Sequence, residues 1–147
     1  MPNLYKELHD RQQAEIDAFP FGFAFTQEQF NKMMVERFSL KPTDTDKIYS
    51  IGGGGYIRKE DYQSMIDMFE RHTKEKKEAI AADVTGDGFI YDMFVYELVN
   101  HEYMYTMTSD DTLDALGLTW EDIKADSRLS YGLKKAKKYI LDKYDDD

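Results

Sequence analysis

The strongest constraint on the fold is that apolar residues recur at helical spacing through most of the chain. In the last segment, one side of a helix carries Leu129, Leu133, Ala136, Ile140 and Leu141. Similar stripes predict helices over about 3–19, 27–38, 59–82 and 89–103, with two short helices capped near Ser109 and Thr119. We therefore expect a single mainly α-helical (α+β) domain of about five to six helices over residues 1–144, with an acidic tail at 145–147.

Two segments interrupt this helical pattern. The stretch from Ile48 to Arg58 places two short β-type runs around the glycines 52–55, which predicts a minor β-hairpin. The run from Phe19 to Phe25 carries Phe at every second position around Pro20, which predicts an extended segment. We expect its Phe side chains to pack into the core, and an exposed anchor for a partner is the alternative.

Composition excludes several classes of protein. The chain of 147 residues contains no Cys, which excludes disulfide frameworks, thiolate zinc sites and cysteine nucleophiles. No apolar run approaches the roughly 18 residues of a membrane-spanning helix, and the N-terminal residues lack the apolar core of a signal peptide. We therefore expect a cytoplasmic protein that does not contact membranes.

The net charge of −10 is concentrated in one segment. Between Asp83 and Asp126 the chain holds eleven acidic residues and one basic residue, and the remaining acids and bases balance. This segment, called the acidic segment below, argues against direct nucleic-acid binding, because phosphate contacts need clustered Lys and Arg. Its charges either serve solubility, partly neutralised by the basic last helix, or bind a basic surface of another protein.

Aromatic residues overlap the acidic segment, a combination that suits a protein interface. Tyr and Trp bury a large area at low entropic cost and accept stacking from Arg or Lys. By helical spacing, Tyr96 and Tyr103 fall off the apolar stripe, although ordinary half-buried tyrosines remain the alternative. The candidate partner-binding residues are Asp92, Tyr96, Glu102, Tyr103, Asp110, Asp111, Asp114, Trp120, Glu121 and Asp122.

The glycine run supports an alternative, a small-molecule or nucleotide site. Backbone N–H groups of a glycine loop, a following helix and two cations could hold a phosphate. The chain lacks the Gly-Lys-Ser/Thr string of a phosphate loop, so a flexible turn is the competing interpretation. The residues of this alternative site are Gly52, Gly53, Gly54, Gly55, Arg58 and Lys59.

A calcium-loop pattern begins at Asp83. Asp83, Thr85 and Asp87 occupy the first, third and fifth positions of such a loop, and Gly88 the sixth. Phe94 stands at the twelfth position, where a bidentate Glu is required, so any calcium affinity would be weak. A helix-to-helix turn is the favoured interpretation.

Other catalytic patterns fail on spacing. His101-Glu102 begins like a zinc protease motif, but Tyr105 occupies the place of the second His, and no nucleophile-elbow string is present. We expect no enzymatic activity, no cofactor and no metal site.

Four strings resemble a known family. They are Asp46 to Lys59, Met68 to His72, Tyr96 to Tyr103 and Asp114 to Thr119. Together they are similar to a family of small uncharacterised proteins carried by phages and mobile elements of gut bacteria, over most of the chain. The resemblance implies a bacterial host cell and an accessory role, and no functional residue. Some small acidic phage proteins inhibit host defence, CRISPR nucleases included, by occupying nucleic-acid-binding surfaces.

The sequence therefore predicts a non-enzymatic phage or mobile-element accessory protein that binds a basic surface of a host protein through the acidic segment. Its most specific form is an anti-CRISPR-like inhibitor that mimics nucleic acid and blocks a nucleic-acid-binding effector. The alternative is a ligand-binding protein that uses the glycine loop. A third possibility is a simple oligomeric structural protein. The oligomeric state is left open.

Overall fold

The computed structural model describes residues 2–144, so the acidic tail expected at Asp145 to Asp147 lies outside the described residues. These residues form eight α-helices and one three-stranded antiparallel sheet, which confirms a mainly helical fold with a minor β component. The helices are α1 (Leu4–Ala18), α2 (Gln27–Lys32), α3 (Tyr62–Ala82), α4 (Phe89–Asn100), α5 (Tyr103–Thr106), α6 (Asp110–Leu116), α7 (Trp120–Ala125) and α8 (Ser127–Tyr144). The strands are β1 (Gly22–Phe23), β2 (Ile48–Gly52) and β3 (Gly55–Arg58).

The chain divides into two compact units. The first contains the described residues 2–13 and 74–144, and the second contains residues 14–73. Each is described by itself, and the expectation of one domain stays a prediction.

The core of the first unit lies between α4 and α8. Ile90, Met93, Phe94 and Leu98 of α4 are completely buried, because this helix is apolar on most of its circumference. Helix α8 buries the predicted stripe from Leu129 to Ile140, whereas Leu141, also predicted on this face, is only half-buried. The expected helix over 89–103 is too long, because α4 ends at Asn100 and Glu102 takes a left-handed conformation.

Close contact between these two helices requires a glycine in α8. A Cβ atom on Gly132 would lie 2.7 Å from Ile90 Cγ2 and 2.8 Å from the Gly86 carbonyl oxygen. The Gly86 loop also lies against α8, where a Cβ on Gly86 would meet the Arg128 carbonyl oxygen at 2.3 Å. Backbone therefore packs directly on backbone at this point.

The second unit packs the sheet against α2 and the π-helical turn Met33–Arg37 that follows it. Its buried cluster is formed by Ala24, Met33, Met34, Phe38 and Ile48. The predicted hairpin is present, and β1 extends it to a sheet with the order β1-β3-β2. Gly53 and Gly54 form its turn with φ values of 58° and 78°, which glycine adopts without strain.

The inward orientation predicted for the Phe run is wrong for two of its four members, because Phe19 and Phe21 are half-buried and only Phe23 and Phe25 are exposed. Phe23 and Phe25 are 62% and 76% exposed, whereas Gly22 and Ala24 are buried. The reason is the space available, since a Cβ on Gly22 would already lie 2.6 Å from Phe38 Cζ. Only small residues fit on the inward side of β1.

Helical spacing predicts that Tyr62, Met65, Ile66, Phe69 and Ile80 form the apolar stripe of α3, and this prediction is partly wrong. Tyr62 and Phe69 are exposed, and the buried positions are Met65, Met68 and His72. The buried face is therefore rotated toward residues 68 and 72, and Met65 belongs to both the predicted and the observed face.

Candidate protein-binding surface

Several acidic side chains of the acidic segment are used inside the first unit. Asp92 Oδ2 accepts a hydrogen bond of 2.9 Å from the Leu4 N–H, which satisfies a free donor at the start of α1. Glu97 is buried, and its Oε1 accepts a hydrogen bond of 3.1 Å from the Tyr5 hydroxyl. Burial and this carboxylate raise the pKa of Tyr5 well above its usual value. Asp92, a predicted partner-binding residue, therefore has a structural role.

Asp83 organises the loop before α4. Its carboxylate accepts hydrogen bonds from the backbone N–H groups of Thr85, Gly86, Gly88 and Ile90 at 2.9–3.3 Å. Burial raises the pKa of Asp83, but these donors outweigh it and hold the pKa below its usual value. Both oxygens point to donors rather than to a cation site, and the described residues include no group of three or more potential metal ligands.

The basic last helix neutralises part of the acidic segment. Lys135 pairs with Asp87, and Arg128 Nη2 lies 2.8 Å from Asp126 Oδ2. Arg128 also donates to the carbonyl oxygens of Ile80 and Asp83, at 2.9 and 2.7 Å. Charge matching within the unit therefore accounts for the acids at both ends of the segment.

Six carboxylates remain exposed between residues 102 and 122. We call them the acidic face: Glu102, Asp110, Asp111, Asp114, Glu121 and Asp122. Asp110 and Asp122 have local partners, since Asp110 accepts from Trp120 and Asp122 completes the capping box of α7 with Thr119. The side chains of the other four make no hydrogen bond or ion pair with any described residue.

Trp120 is fixed between an acid and a base. Its Nε1–H donates to Asp110 Oδ1 at 3.1 Å, and Lys137 Nζ lies 5.2 Å from the centre of its ring. Burial lowers the pKa of Lys137, and the Asp110 carboxylate acts in the opposite direction. The indole is still 43% exposed, so it is held in place while remaining accessible.

Two exposed uncharged side chains of the acidic segment lie in and after α5, Tyr105 and Met107. Glu102 and Met107, which flank it, both have left-handed backbones with φ values of 58° and 61°. Such conformations are unfavourable for residues other than glycine and cluster at functional sites. Tyr105 is 79% exposed and Met107 is 58% exposed.

Two predicted contact residues lie elsewhere. Tyr103 is buried in the core, and Tyr96 is half-buried with its ring centre 5.4 Å from that of Tyr5 and 5.3 Å from that of His9. The helical phase used for the prediction is interrupted at Glu102, which turns Tyr103 inward and Tyr105 outward. No sequence signal indicated the left-handed Met107, so its exposed side chain was missed.

The alternative glycine site is not assembled. Gly53 and Gly54 form the turn before β3, whereas Arg58 ends β3 and Lys59 follows it, about 10 Å from the turn at 3.3 Å per residue. Arg58 pairs with Asp61 at 3.0 Å, and Lys59 Nζ lies 5.0 Å from the ring centre of Tyr49. Gly52 and Gly53 face open space, so the loop does not form a phosphate cradle together with the two cations.

His101 has a structural environment. Its Nδ1 lies 2.8 Å from the Glu97 carbonyl oxygen and 3.6 Å from Glu97 Oε2. The ring therefore caps the end of α4, and among the described residues no second His joins it in a metal-like arrangement.

A model for a family of unknown function, DUF7659, matches residues 4–139. The chain belongs to this family. No curated protein and no solved structure matches it. The DUF7659 match spans both compact units, including all of the acidic face. No helix among the described residues has the length and apolar character needed to cross a membrane.

Proposed function

We propose that this DUF7659 member is a non-enzymatic binding protein that engages a basic surface of a partner protein through the acidic face and the neighbouring Tyr105, Met107 and Trp120. The observation that carries the proposal is the exposure of these three side chains within a segment rich in unpaired carboxylates. Aromatic residues and Met are enriched in interface cores, whereas charged residues form the rim.

The charges support a basic partner. Glu102, Asp111, Asp114 and Glu121 are exposed without an internal ion pair, so a basic surface would gain contacts without displacing structural ones. Asp110 and Asp122 stabilise the fold locally and add to the field. Complementary charge of this kind accelerates association more than it adds affinity.

In its most specific form, the proposal is inhibition of a host defence nuclease by a phage or mobile-element protein. Exposed carboxylates would occupy the groove that normally holds phosphates, as a nucleic-acid mimic does. The bacterial cytoplasm is the proposed location. The family membership is compatible with this role and specifies no activity.

The test uses affinity capture from the natural host with two charge-matched triple variants. The first reverses Asp111, Asp114 and Glu121 to Lys, which leaves the bonds of Asp110 and Asp122 intact. The control reverses Asp46, Glu36 and Glu70, which are exposed and equally unpaired among the described residues. Both variants change the net charge equally, so bulk charge cannot explain a difference between them.

We expect the wild type and the control variant to retain the same nucleic-acid-binding protein, and the acidic-face variant to lose it. An excess of a DNA duplex should compete for that protein if mimicry operates. Retention of the partner by the acidic-face variant, with unchanged thermal stability, would falsify the proposal.

A further inference from the structure

The sheet of the second unit carries one charged residue, Arg58 at the end of β3, although a third of the chain is charged. All other strand residues lie in two ten-residue runs without any acidic or basic residue, Ala18 to Gln27 and Ile48 to Ile57. Natural proteins usually protect sheet edges with charged side chains, because unpaired edge groups recruit other strands. In the order β1-β3-β2, strand β2 is an edge with no charged residue of its own, although Lys59 Nζ lies 5.0 Å from the ring centre of Tyr49.

The ladder determines which backbone groups of β2 are free. The Ala24 N–H donates to the Gly54 carbonyl oxygen at 2.9 Å, so the next hydrogen-bonded pair of the β1–β3 ladder is Gly22 with Tyr56. The N–H and C=O of Tyr56 therefore face β1. Ser50, which lies opposite Tyr56 in β2, consequently directs its own N–H and C=O away from the sheet.

Ile48 follows the same rule. It lies opposite Arg58, two residues from the Ser50 pair, so its backbone groups also face the free edge. Between these two residues Tyr49 is 43% exposed, and Ile51 just beyond is 39% exposed. At this edge the backbone N–H and C=O of both Ile48 and Ser50 therefore point outward, with Tyr49 between them.

We infer that β2 pairs with β2 of a second copy of this chain, antiparallel and about a two-fold axis at Tyr49. In this register Ser50 of each copy pairs with Ile48 of the other, and four main-chain hydrogen bonds join the two sheets into one of six strands. The two Tyr49 residues lie directly opposite each other. This dimer is independent of the acidic face, which belongs to the first unit.

A second copy fits this edge because the strand is self-complementary. The register places Lys47 opposite Ile51, so no two like charges of the paired segments lie directly opposite each other. The Lys59 ammonium, 5.0 Å from each Tyr49 ring centre, lies outside the strand itself. The bulge between Ser50 and Gly52 bends the strand and ends the pairing after Ile51. This interface is short and buries less surface than the ~800 Å² per partner of a stable complex. The dimer therefore dissociates on dilution.

Sedimentation velocity from about 10 µM to about 500 µM tests the association, since a weak dimer dissociates within this range. We expect the wild type to pass from monomer to dimer. Ser50→Lys places a charge on the edge without removing a side-chain hydrogen bond within the chain. It should raise the dissociation constant of the dimer about tenfold or more. Thr43→Lys, an equally exposed loop change, should leave it unaffected. A wild type that is monomeric throughout, or equal dimerisation of both variants, overturns the inference.

Single cysteines test the register, because the chain has none of its own. Residues opposite each other in a non-hydrogen-bonded antiparallel pair have Cα atoms about 4.5 Å apart, within disulfide range. We expect Tyr49→Cys to form a disulfide-linked dimer on oxidation and Ser50→Cys to form it far more slowly. Equal rates, or no cross-link at position 49 in a folded variant, contradict the register.

Discussion

Gly132→Ala should destabilise the first unit, although alanine is the better helix former. The new Cβ would lie 2.7 Å from Ile90 Cγ2 and 2.8 Å from the Gly86 carbonyl oxygen. Ile90 is completely buried and cannot swing into solvent. The Gly86 carbonyl belongs to backbone that already contacts α8, so the loop cannot retreat without losing that contact.

The magnitude follows from two opposing terms. Overpacking of this kind costs about 1–3 kcal/mol, and removing a glycine from a helix interior returns about 1 kcal/mol. The free energy of unfolding should therefore fall by about 1 kcal/mol, and by at most about 2 kcal/mol. At about 2–4 °C per kcal/mol for a chain of this size, Tm should fall by about 2–4 °C, and by at most about 8 °C.

Thermal unfolding followed by circular dichroism measures this change. Lys138→Ala, an exposed position in the same helix, is the control and should change Tm little. If Gly132→Ala unfolds at the wild-type Tm or above it, α4 and α8 are not in backbone contact as described, and the reasoning fails.

Two further predictions concern backbone geometry and pH. Glu102→Gly should relieve backbone strain, because φ is 58° at this position. The free energy of unfolding should rise by about 0.5–1 kcal/mol, and Tm should rise slightly. Asn100→Gly, at an exposed helical position, is the control and should lower Tm. Asp83 has a depressed pKa in the folded state, so its contribution to stability is complete above the unfolded pKa of about 4 and is lost as pH falls below it. Thermal melts between about pH 3 and pH 6 should show a smaller pH dependence for Asp83→Asn than for wild type, and equal slopes would contradict this role.

Local sequence signals predicted the elements whose cause is local. A Thr three residues before Gln or Asp predicts a helix N-cap. Thr26 accepts a hydrogen bond from the Gln29 N–H at 3.1 Å, and Thr119 forms a capping box with Asp122. In both cases the residue types within one helical turn determine the structure. The cap expected near Ser109 is not formed in this way, because the Ser109 side chain makes no hydrogen bond to α6.

Elements that depend on distant contacts were not predictable in the same way. The side chains of Phe23 and Phe25 are exposed because Phe38 and Met33 fill the space beside Gly22. No pattern within the Phe run contains that information. The roles of Asp92 and Glu97 depend on α1, nearly ninety residues away in the sequence. Counting charges therefore located the acidic face only approximately, because it could not separate acids with internal partners from exposed ones.

The fixed position of Trp120 has a practical spectroscopic consequence. It is the single tryptophan of the chain, so excitation near the red edge of protein absorption reports on this one indole. Its hydrogen bond to Asp110 and the nearby Lys137 ammonium give it an unusually charged surrounding for a half-exposed ring. A basic partner that approaches Asp110 would alter this local field and shift the emission, so binding can be followed in the unlabelled protein.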